Sequence, residues 1–170
     1  MGGFNRQIVL RSNALSGWSY GPQFRYREVV DTGSGLLGMA RAAVIAAGST
    51  AVMVGMWLAP TRRVLDRVLP EPGQGPSERS RQRGRFLFEV EAETTGGPRY
   101  RTAFGADIDP GYGGTAVMLG EAALSLTRDD LPTGGGVLTP MVAMGQQLAQ
   151  RLRTRGFTVA TERVDGGDAS

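Results

Sequence analysis

The strongest constraint on the fold is a stretch of alternating residues in the middle of the chain, RFLFEVEAETTGGPRYRTAFGADID. The first half has an apolar side, with Phe86, Phe88, Val90 and Ala92, and a mainly acidic side, with Leu87, Glu89, Glu91 and Glu93. The alternation resumes after the turn 95–98, with Tyr100, Thr102, Phe104 and Ala106 on one side. A period of two on both sides of a Gly-Gly-Pro turn predicts an antiparallel hairpin. We therefore expect an α+β fold with a mostly antiparallel sheet flanked by helices.

The hairpin is followed by a glycine-rich stretch, DPGYGGTAVMLGE, that matches a nucleotide-binding pattern. Gly111, Gly113 and Ala116 have the Gly-x-Gly-x-x-Ala spacing at the start of a predicted helix. In dinucleotide-binding units, however, such glycines directly follow a buried parallel strand. Here they follow one arm of a hairpin, with Asp109 and a proline between. We therefore expect no dinucleotide cradle in this loop, and we expect Asp107 and Asp109 to be turn and cap carboxylates.

The candidates for substrate binding are Tyr112, Gly113, Thr115 and Arg11. Tyr112 lies beside a predicted helix N-terminus, where its hydroxyl could donate to a substrate carbonyl or phosphate. The alternative is an aromatic ring that packs to close the loop. Arg11 could bind an acidic group bidentately, or it could be a solvated side chain.

The predicted helix after this loop, about Thr115 to Thr127, contains a single acidic residue, Glu121. Glu121, Ser125 and Arg128 share one helical face, because they are spaced at i, i+4 and i+7. This is the ordinary spacing of a solvated stripe, so we expect these side chains to face water. A catalytic role for Glu121 is the alternative.

The composition excludes several kinds of chemistry. The chain contains no Cys and no His, and its 19 basic residues are all Arg. Disulfides, zinc fingers, imidazole catalysis and Cys or Ser-His nucleophiles are therefore excluded, and so is a Lys Schiff base. No metal site is predicted. The arginines are interleaved with 16 acidic residues along the sequence, which argues against nucleic-acid binding.

A second unusual segment, Ala42 to Thr61, carries no charge for 20 residues. It predicts an apolar helix at about 36–59. Its length is just enough to cross a hydrocarbon core of about 30 Å, but its Ala, Gly and Ser content favours an interfacial or a buried helix over a spanning one. If it meets a membrane, the expected membrane-facing residues are Val52, Met53, Met56, Trp57, Arg62 and Arg63.

The remaining elements are predicted from local signals. They are a helix or turn over 6–15, a strand over 24–30, a charged turn capped by Ser77, a helix that begins at Pro140 after Thr139 and ends at Gly156, and a strand over 157–164. The apolar stripe of the helix at Pro140 comprises Met141, Met144, Leu148 and Leu152. We expect a single domain over 1–164 and a disordered tail over 165–170.

Several segments together resemble a known family. The segments RSNALSGWSYG, FRYREV, LPEPGQGPSE, DPGYGGTAVMLGEAALSL and LPTGGGVLTPMVAMGQQLAQRLRTRGFTV are similar to the C-terminal half of the saccharopine dehydrogenase-like oxidoreductases. That family includes bacterial trans-acting enoyl reductases. The resemblance extends from about Arg11 to Val159, and its most specific parts are GYGGTAVM and GGGVLTP.

The resemblance implies an enzyme of two parts. An N-terminal Rossmann domain binds NAD(P), and a C-terminal part shapes the substrate side and often the subunit contact. The implied reaction reduces an acyl or polyketide chain in lipid biosynthesis. The ten residues before Arg11 are too few for a Rossmann domain, so we expect a truncated chain that is inactive alone and binds no cofactor by itself.

The resemblance also implies a set of partners. They are the missing Rossmann half, an acyl or lipid substrate and a second copy in a homodimer. The expected location is cytoplasmic, with peripheral attachment to a membrane as an option. The alternative function is a non-catalytic, membrane-peripheral domain that binds lipid or a partner.

Overall fold

The computed structural model describes residues 2–57, 61, 75, 77–131 and 134–164. Contacts divide the chain into two units, Met1–Tyr26 with Ser77–Ser170, and Arg27–Pro76. The single domain expected over 1–164 stays a prediction, and the expected tail over 165–170 lies outside the described residues.

The first unit contains a three-stranded antiparallel sheet. Its strands are β1 (Phe86–Glu93), β2 (Arg99–Ala106) and β3 (Thr158–Val164), in the order β1-β2-β3. Phe88 pairs with Phe104 across β1 and β2. The turn is closed by the Gly97 amide, which donates to the Thr94 carbonyl at 3.0 Å. Gly97 has a φ of 95°, which only glycine adopts readily. The predicted hairpin and the α+β class are confirmed.

The two faces of this sheet differ in character, as the alternation predicts. Phe86, Phe104 and Phe157 form an aromatic cluster on one face, with ring centroids 5.7 to 6.2 Å apart. The opposite face carries exposed ion pairs, such as Arg101 with Glu91 at 3.1 Å. The aromatic face is therefore the one that packs against helices.

The described helices are α1 (Gly2–Leu15), α2 (Gly35–Trp57), α3 (Glu78–Gln82), α4 (Gly113–Arg128) and α5 (Pro140–Thr154). All except α2 belong to the first unit. The N-terminus of α4 lies on the aromatic face, because a side chain at Gly114 would contact the ring of Phe86. Ser77 caps α3, and Thr139 occupies the cap position before Pro140, as predicted.

The apolar stripe predicted for α5 is only partly correct. Met144 and Leu152 are buried, but Met141 is exposed. Met141 is the second residue of α5 and lies in its first turn, whereas the two buried residues lie further along the helix. The helix is interrupted at Gly145, whose φ of 42° and ψ of −116° are not helical.

In the second unit the structure describes α2 over Gly35–Trp57, which confirms the predicted apolar helix over those residues, and residues 58–60 lie outside the described part of the chain. The strand predicted over 24–30 is wrong, since residues 24–33 adopt no regular structure. Alternating side chains favour an extended backbone, but a strand also needs a neighbour that bonds to its amides and carbonyls. The sheet described here contains β1, β2 and β3 alone.

Candidate functional site

The glycine-rich loop before α4 is organised by Asp109. Its carboxylate oxygen Oδ2 accepts hydrogen bonds from the amides of Tyr112 at 2.6 Å and Gly113 at 3.3 Å. Its backbone carbonyl accepts from the Gly114 amide at 2.7 Å. Gly84 packs directly on this residue, because a side chain there would approach the Asp109 Cα to 2.5 Å. The prediction that Asp109 is a cap carboxylate is confirmed.

This capping determines what the loop can bind. A diphosphate cradle needs amides that point at the anion and a local field that favours negative charge. Here a carboxylate already occupies two of the amides, and it would repel a phosphate group. These two amides are therefore not free to bind a diphosphate, as expected for a loop that follows the hairpin arm β2.

A shallow cleft of about 320 Å³ lies beside the loop. It is lined by Glu78, Arg81 and Gln82 of α3 and by Ile108, Asp109 and Gly113. Arg81 forms an ion pair with Glu78 at 2.6 Å. Sequence reasoning identified Gly113 but missed Arg81, because the contribution of α3 depends on tertiary packing. The cleft offers a guanidinium and two carboxylates beside a helix start.

The other two predicted residues of the loop have different surroundings. The Tyr112 side chain is exposed, so the alternative of a packed ring is not what the structure contains. The Thr115 hydroxyl donates to the Pro110 carbonyl at 2.9 Å, which stabilises the turn. Tyr112 precedes Gly113 of the cleft in sequence, but it is not one of the residues that line the cleft.

Arg11 belongs to a separate junction between α1 and the start of α5. Its Nη2 donates to the Val137 carbonyl at 2.9 Å, and Ser12 bonds to the Thr139 hydroxyl at 2.7 Å. Both contacts join segments more than 120 residues apart in sequence. Among the described residues, no hydrogen bond or ion pair joins Arg11 to the loop before α4. The structure therefore gives Arg11 a role in tertiary packing.

The expectation of a solvated stripe on α4 is wrong for Glu121 and Ser125, while Arg128 is exposed as expected. Glu121 is only 5% exposed, and Ser125 is fully buried. Arg155 donates to one Glu121 oxygen at 2.6 Å, and Arg151 donates to the other at 3.3 Å. Arg151 also binds Asp129 bidentately, at 2.6 and 2.7 Å. These four charged residues form an ion-pair network that joins α4 to α5, because α5 and the residue that follows it supply two arginines to the polar face of α4.

The network keeps both carboxylates ionised. The hydrogen bond from Arg155 lowers the pKa of Glu121, although burial opposes this effect. The hydrogen bonds from Arg151 lower the pKa of Asp129 to about 2. The Ser125 hydroxyl contributes to that lowering, but its Oγ makes no hydrogen bond of normal geometry within the described part of the chain. A Glu121 whose pKa is lowered and whose carboxylate is paired with two arginines is suited to hold two helices together and is a poor proton donor near neutral pH.

The predicted membrane-facing residues lie on α2. By length and composition, α2 could cross a membrane, with a mean hydropathy of 1.6. Val52, Met53, Met56 and Trp57 are exposed within the second unit. Arg62 and Arg63 lie outside the described residues. The hydroxyls of Ser49 and Thr50 donate to the carbonyls four residues earlier, each at 2.8 Å.

No group of three or more acidic side chains that could hold a metal ion occurs among residues 2–57, 77–131 and 134–164. The described part of the chain therefore offers no carboxylate cluster for metal catalysis.

The similar proteins that comparison identifies are named trans-acting enoyl reductases. The chain is 44% identical over 168 residues to a trans-acting enoyl reductase of Mycobacterium ulcerans, and the match covers 96% of this chain. It is 41% identical over 167 residues to a trans-acting enoyl reductase of Mycobacterium tuberculosis. It is also 43% identical over 167 residues to a second protein of that species, which is named a putative trans-acting enoyl reductase. The chain is homologous to part of the trans-acting enoyl reductases.

The match covers only part of each relative. The chain spans about 40% of their length. No protein-family model matches the chain, and no solved structure matches it. A partial α+β domain is consistent with this coverage.

Proposed function

We propose that this chain is the substrate-side, C-terminal portion of an NAD(P)-dependent saccharopine dehydrogenase-like oxidoreductase that reduces enoyl groups in lipid or polyketide-lipid biosynthesis. The observation that carries the proposal is the identity of 41 to 44% to trans-acting enoyl reductases over nearly the whole chain. In this proposal the chain is inactive alone, because the hydride donor binds to the part of the relatives that the chain does not cover.

The geometry of the glycine loop supports a cofactor site and a substrate site in different parts of the enzyme. Asp109 occupies the amides of Tyr112 and Gly113, so the cofactor site is expected outside this chain. The cleft beside the loop then serves the acyl substrate. Arg81 and the Tyr112 hydroxyl are the groups that would bind the carbonyl oxygen of an enoyl thioester. Thr115 and Gly113 shape the loop that presents Tyr112.

Reconstitution tests the proposal. The chain is mixed with the part of the Mycobacterium ulcerans relative that it does not match, and NADPH oxidation is followed with a long-chain 2-enoyl thioester. We expect activity from the mixture and none from either part alone. Tyr112→Phe should lower kcat/KM by about tenfold, the loss of one hydrogen bond of about 1.4 kcal/mol. Tyr100→Phe on the sheet is the matched control and should leave kcat/KM unchanged.

Two results would contradict the proposal. The first is NADPH oxidation by the chain alone, which would place the cofactor site within it. The second is a reconstituted complex that binds NADPH but does not reduce the enoyl thioester, which would exclude this reaction class.

A second candidate function is peripheral attachment to a membrane, and the exposure of α2 favours it. Residues 42–57 carry no charge, and Ser49 and Thr50 satisfy their hydroxyls within the helix, as an apolar medium requires. Val52, Met53, Met56 and Trp57 would enter the interface, with Arg62 and Arg63 near anionic headgroups. In this proposal the protein is cytoplasmic and membrane-peripheral.

Vesicle flotation tests this second function. We expect the chain to float with phosphatidylglycerol-containing vesicles, and Met53→Glu to reduce the floated fraction, because it places a charge within the apolar run. Met39→Glu lies on the same helix, before Arg41, and is the matched control. Equal flotation of the two variants would exclude insertion of the 42–57 segment.

The remaining partners follow from the same proposal. The full-length enzyme would bind an acyl or lipid substrate and could form a homodimer, and no nucleic acid is expected. Analytical ultracentrifugation of the reconstituted complex distinguishes a single pair from a dimer of pairs.

A further inference from the structure

Helix α4 has an unusual distribution of polar and apolar side chains. Its most buried side chains are the polar residues Glu121 and Ser125. Its exposed side carries Leu119 and Leu126, which are 71% and 57% exposed. A surface helix of a globular protein normally has the reverse arrangement. Helix α4 therefore has its apolar side turned away from the rest of its own unit.

The side of α4 that lies opposite Glu121 and Ser125 is exposed and carries no charged residue. We name it the outer face of α4, and it comprises Ala116, Leu119, Gly120, Ala123, Leu126 and Thr127. The Thr127 hydroxyl donates to the Ala123 carbonyl at 3.0 Å, so it too is satisfied within the helix. By contrast, the exposed positions of α5 include Gln146, Gln150 and Arg153, as expected for a solvated helix. The two packed helices thus have outer sides of opposite character.

The shape of the outer face favours a packed helix as its occupant. Leu119 and Leu126 protrude, whereas Ala116, Gly120 and Ala123 leave shallow grooves between them. Ridges and grooves of this kind allow another helix to approach closely. A contiguous exposed apolar surface often marks an interaction site. The occupant is therefore expected to be polypeptide with an apolar helical face.

We infer that the outer face of α4 binds the portion of the enzyme that this chain does not include, the part that holds the cofactor in the proposed function. The inference rests on that proposed function for the identity of the occupant. The relatives are much longer than this chain, which covers 40% of them. An obligate interface is more apolar than the rest of a protein surface and resembles a domain core cut in half. The outer face of α4 has this character.

Cysteine labelling tests the inference directly, because the chain has no cysteine of its own. Ala123→Cys places a thiol in the outer face, and Ala160→Cys places a control thiol on the exposed, ion-paired face of the sheet. The unmatched part of the Mycobacterium ulcerans relative is added, and maleimide labelling rates are measured. We expect about tenfold slower labelling at position 123, since an interface core excludes solvent, and no change at position 160.

A binding measurement provides a second readout. Leu119→Glu should raise the Kd for the same polypeptide by about tenfold or more, because it places a charge in an apolar contact. Leu87→Glu, at a leucine that is 62% exposed on the sheet, should leave the Kd unchanged. Circular dichroism spectra equal to wild type show that both variants are folded.

The outcomes separate this inference from the proposed function. Protection of the thiol at position 123 without NADPH oxidation supports the docking surface and contradicts the enzyme assignment. NADPH oxidation with full labelling of the Ala123→Cys variant supports the enzyme and overturns the docking surface. Absence of any complex overturns the inference. Protection of the same thiol by raising the concentration of this chain alone also overturns it, because the occupant would then be a second copy.

Discussion

Helices α4 and α2 differ in how they handle charge. Helix α4 buries its acid, Glu121, because Arg151 and Arg155 neutralise it from α5 and its C-terminal end. Helix α2 excludes charge from residues 42–57 and has little buried surface within its unit. The orientation of α4 is set by residues 30 and 34 positions away, whereas the character of α2 follows from its own composition. Substitutions in the two helices should therefore have different consequences.

The largest difference in the free energy of unfolding is expected between a leucine-to-alanine substitution in α5 and one in α2. Leu152 of α5 is 6% exposed, and Leu37 of α2 is 64% exposed. Leu152→Ala should lower the free energy of unfolding by about 2 to 5 kcal/mol, through lost burial and a cavity. Leu37→Ala should change it by less than about 0.5 kcal/mol. Urea denaturation measures both, and equal losses would show that α2 is packed as tightly as α5.

The next effect concerns the ion-pair network. Glu121→Gln should lower the urea midpoint, because Arg151 and Arg155 lose their shared carboxylate. We expect a smaller loss than for Leu152→Ala, since both arginines retain access to water. Glu91→Gln is the matched control, because its partner Arg101 lies on the exposed face of the sheet. An unchanged midpoint for Glu121→Gln would contradict the account of α4.

The pH dependence of stability should reveal the same network. The pKa of Asp129 is lowered from 3.8 to about 2, so its ionised form stabilises the folded state above about pH 4. That contribution is lost as the pH falls through about 2. As the pH falls from about 4 to about 2, the free energy of unfolding should therefore decrease less for Asp129→Asn than for wild type. The decrease for Asp107→Asn, at an exposed carboxylate, should equal that of wild type. Parallel curves for Asp129→Asn and wild type would show that Asp129 is not paired.

The smallest effects are expected for two glycines, and they have opposite signs. Gly145 has a φ of 42°, so Gly145→Ala should destabilise the first unit by about 1 kcal/mol. Gly48 lies within α2, and a side chain there would meet nothing within 4 Å. Gly48→Ala should therefore stabilise the helical state of α2, by about 0.5 to 1 kcal/mol. Urea denaturation and circular dichroism measure the two effects. The same sign at both positions would contradict the break in α5 or the open surroundings of α2.

The parts of the fold that the sequence predicted well are those fixed locally. Alternation and a Gly-Gly-Pro turn specify the hairpin, and Ser77 and Pro140 mark helix starts by their own chemistry. The incorrect predictions depended on partners distant in sequence. Residues 24–30 alternate correctly, but the described sheet offers them no pairing strand.

The same limit applies to the candidate site. Asp109 could be recognised as a cap because its partners follow within four residues. Spacing showed that Glu121 and Ser125 share a face of α4, but it could not show that this face is buried, because the arginines that permit burial lie at least 30 positions further along the chain. Arg81 was missed for a similar reason, since α3 meets the loop through tertiary packing alone.

The most direct test of the central claim is a titration of the isolated chain with NADPH, followed by the fluorescence of the cofactor. The Asp109 cap predicts no saturable binding up to millimolar NADPH, while the complex with the remaining part of a relative should bind it. Saturable binding by the isolated chain at micromolar NADPH, weakened by Gly113→Val, would contradict the account.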